Sequence, residues 1–229
     1  MAADPEELRA VDGRVPGRRG LATRQRLLDR TSAMLTTTSY RDLKVVDIAR
    51  EAGTSPATFY QYFPDVEAAI LVLAEEMALE GSERLIGLVR DGAWDAEHGY
   101  ATALAVADGF IDFWDRHHSV LRVVDLATGE GDRRFQSIRT RLMNEFTVAL
   151  QEVIVERQGR PRRGGVDPMA SAGVLSAMLA HVSAHRYGFE FWGIRTADVR
   201  TAMARILFTT VTGDLPPALR RPVRRPPRG

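Results

Sequence analysis

Hydrophobic residues recur at helical spacing along almost the whole chain after residue 20. In several segments they fall at i, i+3, i+4 and i+7, which puts them on one face of an α-helix. No stretch keeps up the two-residue alternation of a half-buried strand, so we expect no β-sheet. The predicted fold class is all-α, with helices over residues of about 22–38, 45–52, 56–63, from 66 onward, 97–117, 132–157, 168–190 and 197–212.

Capping residues indicate where the third and fourth of these helices begin. Gly53 ends the second helix, and Ser55 followed by Pro56 starts the third. Serine is a preferred N-cap, and proline suits the first helical position. Asp65 is predicted to cap the fourth helix, with Glu67 in its first turn, where a negative charge interacts favourably with the helix dipole.

The composition is that of a folded protein and excludes some chemistry. Hydrophobic residues make up 45% of the 229 residues and charged residues 27%, which is ordinary for a soluble domain. The chain has no cysteine, which excludes disulfides, thiolate metal sites and thiol nucleophiles. The first 20 residues lack an apolar core, so we expect no secretory signal and a cytoplasmic protein.

One segment, 168–185, contains no Asp, Glu, Lys or Arg and resembles a membrane span in that respect. Ser171, Ser176 and His181 interrupt its apolar character, and much of the remainder is alanine. We therefore expect a helix of a bundle, with no membrane partner.

Arginine is unevenly distributed, although the formal net charge of the chain is only +1. Residues 1–20 are rich in Gly, Pro and Arg without helical periodicity, and we predict a flexible basic arm there. Residues 215–229 alternate Pro and Arg, which favours a disordered tail. Between them, we predict one small helical domain over 21–65 and a larger one over 66–214.

The segment Val45–Phe63 carries the clearest functional signal. It predicts two helices joined by a short turn that contains Gly53, which is the helix-turn-helix arrangement. The small side chain of Ala49 lets the helices cross closely, and Gly53 supplies the left-handed backbone of the turn. Ile48 and Phe59 fill the small core between them. The third helix presents small or polar side chains without a charge, a face that suits base edges in the major groove.

An aromatic core stripe is the alternative interpretation of the residues around Tyr60. Phe59 and Phe63 are four residues apart, so we expect both in the core. Tyr60 and Tyr62 cannot both share that helix face, so at least one of them points to solvent. DNA binding is therefore favoured over a purely structural pair of helices.

The residues from Thr23 to Leu73 resemble the tetracycline-repressor (TetR) family of bacterial transcriptional regulators. The resemblance rests on a helix-turn-helix that runs into Thr58-Phe59-Tyr60-Gln61-Tyr62-Phe63-Pro64, followed by a long fourth helix. It implies an N-terminal three-helix helix-turn-helix DNA-binding domain, followed by a larger helical ligand-binding and dimerisation domain.

The resemblance also assigns DNA contacts. It implies that Thr58, Tyr60 and Tyr62 contact phosphates or thymine methyl groups. The positions of Pro56 and Ala57, with that of Gln61, help to select the operator sequence. The predicted DNA-binding residues are Arg18, Arg19, Lys44, Val45, Ser55, Pro56, Ala57, Thr58, Tyr60, Gln61 and Tyr62.

Two positions depart from the family pattern. A lysine commonly opens the fourth helix and binds phosphate, whereas this chain has Val66 there. A serine or threonine usually caps the second helix, whereas this chain has Lys44, which we expect to offer a phosphate contact instead.

For the larger domain, the resemblance implies an apolar pocket for a small-molecule effector. It also implies that the last two long helices pair with a second copy to form a homodimer. A stripe of aromatic and methionine residues is more often the pattern of a plain helical core, so this alternative stays open. The candidate pocket residues are Phe110, Trp114, Leu121, Val124, Phe146, Met178, His181 and Tyr187.

His181 and His185 have the spacing of two metal ligands on one helix face, but no motif supplies a third ligand. We therefore expect no metal and no cofactor. We also expect no enzymatic activity, because no acid, base and nucleophile stand at a catalytic spacing.

The predicted function is that of a ligand-responsive transcriptional regulator. It would bind a palindromic double-stranded operator as a dimer, act as a repressor, and be released by a small apolar or amphipathic effector. The alternative is a constitutive DNA-binding architectural protein without an effector, which the basic arm and tail would suit. The long helices without basic faces argue against that alternative.

Overall fold

The computed structural model describes residue 11 and residues 16–159 and 165–216. Over these residues the chain is helical and has no strand, so the all-α prediction is confirmed. Most of the predicted arm, residues 160–164 and the tail from residue 217 lie outside the described residues. In chain order the helices are α1 (Arg18–Met34), α2 (Val45–Glu51), α3 (Pro56–Tyr62), α4 (Val66–Arg90), α5 (Gly99–Gly129), α6 (Arg133–Gln158), α7 (Pro168–His185), α8 (Tyr187–Glu190) and α9 (Thr196–Thr212).

Helix α1 begins at Arg18, earlier in the chain than the predicted start near residue 22. Arg18 and Arg19 therefore stand on a helical turn, which corrects their assignment to a flexible arm. Gly17 has an extended backbone, and its carbonyl accepts the Leu21 N–H at 3.0 Å, so the helix starts directly after it. The glycines on either side suggested flexibility, but arginine is itself a good helix former.

Two other helix boundaries differ from the prediction. Helix α5 continues to Gly129 instead of ending near residue 117. The helix continues past His117, whose imidazole is half-buried and packs on Phe113, with 4.7 Å between ring centroids. The helix predicted over 168–190 is divided at Arg186 into α7 and the short α8.

The chain folds as two compact units, and unit 1 comprises Met1–Glu83 and Phe113–Glu145. Within it, α1, α2 and α3 surround a small apolar core. A Cβ atom at Gly81 of α4 would lie 2.5 Å from the Phe113 ring, so glycine permits a close approach of α4 to α5 there. The core side chains of α1, α2 and α3 include Leu27, Leu28, Ile48 and Phe59, all fully buried.

Unit 2 comprises Arg84–Asp112 and Phe146–Gly229. Its core contains an edge-to-face pair, Phe110 and Phe146, with ring centroids 4.9 Å apart. The Gln158 side chain at the end of α6 donates to the carbonyl of Thr210 at 2.6 Å and to that of Val211 at 3.0 Å, which ties α6 to α9.

Helix α7 is a member of the unit 2 bundle, and its two faces differ. Ala172, Leu175 and Leu179 are buried against the unit, whereas Val174 and His181 are exposed. Among the described residues, no helix is long and apolar enough to cross a membrane.

Candidate nucleic-acid interface

Helices α2 and α3 are joined by a tight turn whose backbone is held by hydrogen bonds. The Gly53 N–H donates to the Arg50 carbonyl at 3.0 Å, and the Thr54 N–H donates to the Ala49 carbonyl at 2.9 Å. Gly53 has φ +66°, in the left-handed region that disfavours other residues. Ala49 is fully buried at this crossing. The helix-turn-helix and the roles predicted for Ala49 and Gly53 are confirmed.

The start of α3 is fixed by its N-cap. The Ser55 hydroxyl accepts the Thr58 N–H at 3.2 Å and lies 3.0 Å from the Thr58 hydroxyl. Pro56 occupies the first helical position, as predicted. These contacts hold Thr58 at the edge of the exposed face, while Ala57 beside it is exposed.

Helix α3 separates an aromatic core face from an uncharged outer face. Phe59 and Phe63 are buried with ring centroids 5.4 Å apart, so their assignment to the core is confirmed. Tyr60 is 52% exposed, and its ring meets the Phe59 ring edge-to-face at 6.0 Å. Gln61 is also exposed, and neither residue has a charged neighbour within α3. This face can approach base edges without repelling phosphates.

Tyr62 is half-buried because the first turn of α1 lies against it. A Cβ atom at Gly20 would be 3.2 Å from the Tyr62 hydroxyl, so the absence of a side chain there makes room for the tyrosine. Arg24, one turn along α1, is buried with its guanidinium 5.3 Å from the centroid of the Phe63 ring. At the end of α3, the Val11 N–H donates to the Gln61 carbonyl at 2.9 Å.

Cationic side chains stand at the starts of α1 and α2, the two helices that pack against α3. Arg18 and Arg19 are exposed on the first turn of α1, beside the Gly20 contact with Tyr62. Lys44 is exposed at the N-cap of α2, where its side chain makes no capping hydrogen bond. These positions suit contacts with phosphates that flank a groove.

The start of α2 holds one exposed residue that the sequence analysis missed. Val45, a predicted DNA contact, is half-buried, whereas its neighbour Val46 is exposed. An apolar residue in a short helix is ordinarily assigned to the core, so Val46 gave no usable signal. Its accessible methyl groups suit an apolar contact such as a thymine methyl group.

The start of α4 follows the prediction. The Asp65 carboxylate accepts the Ala68 N–H at 2.7 Å, so its role as a cap is confirmed. Val66 is half-buried, and Glu67 in the first turn pairs with Arg134 at 2.9 Å.

The largest carboxylate pKa shifts among the described residues occur at helix caps outside α1, α2 and α3. The pKa of Asp95, ahead of α5, is lowered to about 2, chiefly because the His98 backbone N–H and side chain donate to it. The same pairing raises the pKa of His98. The pKa of Asp132, ahead of α6, is lowered to about 2 chiefly by the side-chain hydrogen bond from Arg134. These carboxylates act as structural caps.

The candidate pocket residues are divided between the two units. Phe110 and Phe146 are in contact in the core of unit 2, where Met178 is half-buried. His181 and Tyr187 are exposed on unit 2 and do not belong to its core, and their role as pocket residues stays a prediction. The physical reason is that they lie on the outer side of α7 and at the start of α8. In unit 1, Leu121 and Val124 are buried and Trp114 is half-buried.

His181 and His185 stack on one another, with 4.2 Å between ring centroids. The Nδ1 atom of His185 lies 3.0 Å from the His181 carbonyl oxygen. Within the described part of the chain, no three His, Cys, Asp or Glu side chains are grouped so that they could hold a metal ion.

Comparisons with known proteins assign both parts of the chain to one family. Residues 27–68 match the profile described as "Bacterial regulatory proteins, tetR family". Residues 85–218, more than half of the chain, match the profile described as "Tetracyclin repressor-like, C-terminal domain". The first match contains α2 and α3, and the second contains α7, α8 and α9.

Individual relatives are distant. An uncharacterized helix-turn-helix transcriptional regulator of Haemophilus influenzae is 26% identical over 133 residues, 58% of this chain and 63% of that protein. The transcriptional regulator EthR of Mycobacterium tuberculosis is 27% identical over 176 residues, 76% of this chain and 79% of EthR.

Solved structures show the same fold. The transcriptional regulator FadR of Bacillus subtilis, solved in complex with stearoyl-CoA, superposes with a TM-score of 0.60 at 16% identity. The superposition covers 83% of this chain and 98% of the FadR chain. The two profile matches, together with the helix-turn-helix geometry, show that the chain belongs to the tetracycline-repressor family of bacterial transcriptional regulators, which bind DNA and respond to ligands.

Proposed function

We propose that the protein is a repressor that binds a palindromic operator as a homodimer and is released by a small apolar or amphipathic effector. The observation that carries this proposal is the outer face of α3, which is exposed and free of charge, with the exposed cations Arg18, Arg19 and Lys44 at the starts of the two helices that pack against α3. A uniformly basic face would instead be expected of a protein that binds DNA without sequence preference.

In this proposal α3 enters the major groove. Tyr60 and Gln61 reach base edges or thymine methyl groups, and Thr58 and Tyr62 contact the backbone near the groove edge. Ala57 and Pro56 allow a close approach because their side chains are small or compact. Arg18 and Arg19 neutralise phosphates, which adds affinity without sequence preference.

The dimer would form through the outer faces of α7 and α9. Val174 on α7 and Ile206 on α9 are exposed large hydrophobic residues, and α7 carries no Asp, Glu, Lys or Arg. A two-fold dimer would present two copies of α3, which suits a palindrome with half-sites about 34–36 Å apart or a multiple of that spacing.

The effector is proposed to bind among the helices that follow the DNA-binding helices in the chain. FadR of Bacillus subtilis, which is similar in structure, was solved with stearoyl-CoA, an amphipathic molecule with a long apolar chain. The aromatic core around Phe110 and Phe146 is also apolar, which suits the apolar part of such a molecule. Release requires an effector that prefers the conformation with low operator affinity. A coupling free energy of about 1–3 kcal/mol would change operator affinity about 5- to 150-fold.

The test is a mobility-shift titration with an operator selected from the DNA that flanks the gene. Tyr60→Ala is expected to weaken binding by about 1–3 kcal/mol, and Gln61→Ala to relax the preference at one base pair. Gln136→Ala, at an exposed position on α6, is the matched control and should bind like the parent. If both α3 variants bound the operator with the affinity and sequence preference of the parent, the assignment of this face of α3 to the DNA would be refuted.

A further inference from the structure

Aromatic side chains project into solvent from one short stretch of unit 2. Phe191 is 90% exposed, Trp192 is 69% exposed and Tyr187 is 56% exposed. Among the described residues, no other large hydrophobic side chain is more exposed than Phe191. We define residues 187–194 as the aromatic segment.

The backbone of the aromatic segment is held in one conformation. The N–H groups of Trp192 and Ile194 both donate to the Phe189 carbonyl, at 3.0 and 3.1 Å. The Gly193 N–H donates to the Glu190 carbonyl at 2.9 Å, and its φ of +72° closes the turn. The Phe189 ring supports the Trp192 ring, with 5.9 Å between their centroids. The exposed rings are therefore presented by an ordered turn.

We propose that the aromatic segment is the anchor by which a second copy of this chain docks, so that the dimer seam extends beyond α7 and α9. This inference rests on the proposed homodimer and adds which residues stabilise it. An ordered cluster of exposed aromatic rings is costly in water, and it marks an interaction site on soluble proteins. Tyr and Trp are also the residues that most often dominate interface energetics.

The area of the rings supports a second copy as the occupant. Phe, Tyr and Trp side chains bury about 150–250 Å² each, so the exposed parts of these three offer roughly 400–500 Å². A stable interface needs about 800 Å² from each partner. The aromatic segment can therefore supply about half of the requirement, and only Arg186 separates it in the chain from the charge-free helix α7.

The surroundings of the segment also fit a self-complementary seam. A Cβ atom at Gly188, within the aromatic segment, would meet no atom within 4 Å, so the chain leaves open space there. Beyond the rings, Arg195 and Asp198 form an exposed ion pair at 2.9 Å. An apolar centre with a polar rim is the usual arrangement of a protein interface.

The inference can be tested by sedimentation of the full chain over a range of concentrations. Phe191→Ser and Trp192→Ser should each raise the dimer dissociation constant roughly 30-fold or more, as expected of central aromatic residues. Phe191 is so exposed that serine there removes almost no contact within the chain, and an unchanged melting curve of the dilute monomer would verify this. Leu79→Ser, which removes an exposed apolar side chain from α4 in unit 1, is the matched control and should leave dimerisation unchanged.

A second measurement follows Trp192 directly. Iodide quenching of the Trp192 emission, taken as the difference between the parent and Trp192→Phe, should decrease as the dimer forms. A parent that is monomeric at every concentration would overturn both this inference and the proposed homodimer. A parent dimer that Phe191→Ser and Trp192→Ser leave intact would overturn the inference alone. Phe191-dependent binding to anionic phospholipid vesicles, with unchanged dimerisation, would also overturn it, because the occupant would then be a membrane surface.

Discussion

Replacing Gly20 by alanine adds one carbon atom at the point where α1 meets α3. The new Cβ atom would lie 2.8 Å from the Cβ of Pro16 and 3.2 Å from the Tyr62 hydroxyl. The first distance is too short for two carbon atoms, so the chain at Pro16 must move. The second distance requires the tyrosine ring to shift by a few tenths of an ångström. The substitution therefore displaces a proposed DNA contact without touching the DNA.

The expected changes in melting temperature and in operator affinity distinguish an effect on folding from an effect on DNA binding. Alanine favours a helix over glycine by about 0.5–1 kcal/mol, which offsets the local displacement, so we expect the melting temperature to change by at most a few degrees. If Tyr62 contacts DNA, its misplacement should cost about 1 kcal/mol, or about fivefold in the operator dissociation constant. Mobility-shift titration and thermal unfolding of the same preparation measure the two effects.

Two further variants make the result specific. Gly87→Ala on α4 is the matched control, because its Cβ would meet only Asp91 at an ordinary 3.6 Å. It should stabilise the helix and leave operator binding unchanged. In a Tyr62→Phe background, which lacks the hydroxyl, the Gly20→Ala effect on affinity should shrink. Full parental affinity in Gly20→Ala would refute the positioning of Tyr62 by α1, and an unreduced effect in the Tyr62→Phe background would trace the weaker binding to Pro16 instead.

Three other predictions concern the DNA-binding helices and the cap of α5. Replacing both Arg18 and Arg19 by glutamine should flatten the log–log salt dependence of operator binding by about 0.9 for each phosphate that is no longer neutralised, and an unchanged slope would show that they serve only solubility. Phe59→Ala, at a fully buried position, should destabilise the DNA-binding helices by about 3–5 kcal/mol, measured by chemical unfolding. A raised pKa of His98 means that its pairing with Asp95 contributes fully below pH 6.5 and less as the pH rises through the raised value. The parent should therefore lose its thermal advantage over His98→Gln as the pH rises above 6.5 and through the raised pKa, and a pH-independent difference would contradict this.

Local signals allowed the DNA-binding helices to be predicted from the sequence. Ser55 and Asp65 cap α3 and α4 by contacts with residues three positions along the chain. Phe59 and Phe63 share a face because they are one helical turn apart. Interactions of this kind depend on spacing alone, so spacing was sufficient to predict them.

Features that depend on how distant parts of the chain pack could not be predicted from the hydrophobic pattern of the sequence. The contact between Gly20 and Tyr62 joins residues far apart in the chain. The sequence does not show this contact, so Gly20 was interpreted as part of a flexible arm. His117 suggested a helix end because histidine is often solvated, yet its side chain is half-buried and α5 continues to Gly129. The exposure of His181 depends on which face of α7 the unit buries, and Tyr187 begins α8 after the helix is divided at Arg186. A nearly uniform apolar helix gives no amphipathic pattern from which that face could be predicted.

Exposed aromatic residues occur at two places whose surroundings imply different partners. Tyr60 stands among uncharged polar side chains with Arg18, Arg19 and Lys44 on the helices that pack against α3, whereas Phe191 follows α8, in which Glu190 is the one charged residue. Operator binding should therefore weaken steeply with added salt, because phosphate contacts release counterions. Self-association through apolar rings should be nearly unaffected by salt, or strengthened by sulfate. Measuring both equilibria over one salt series would separate them, and a dimer that dissociates as steeply with salt as the operator complex would show that charges, not the aromatic rings, hold the two copies together.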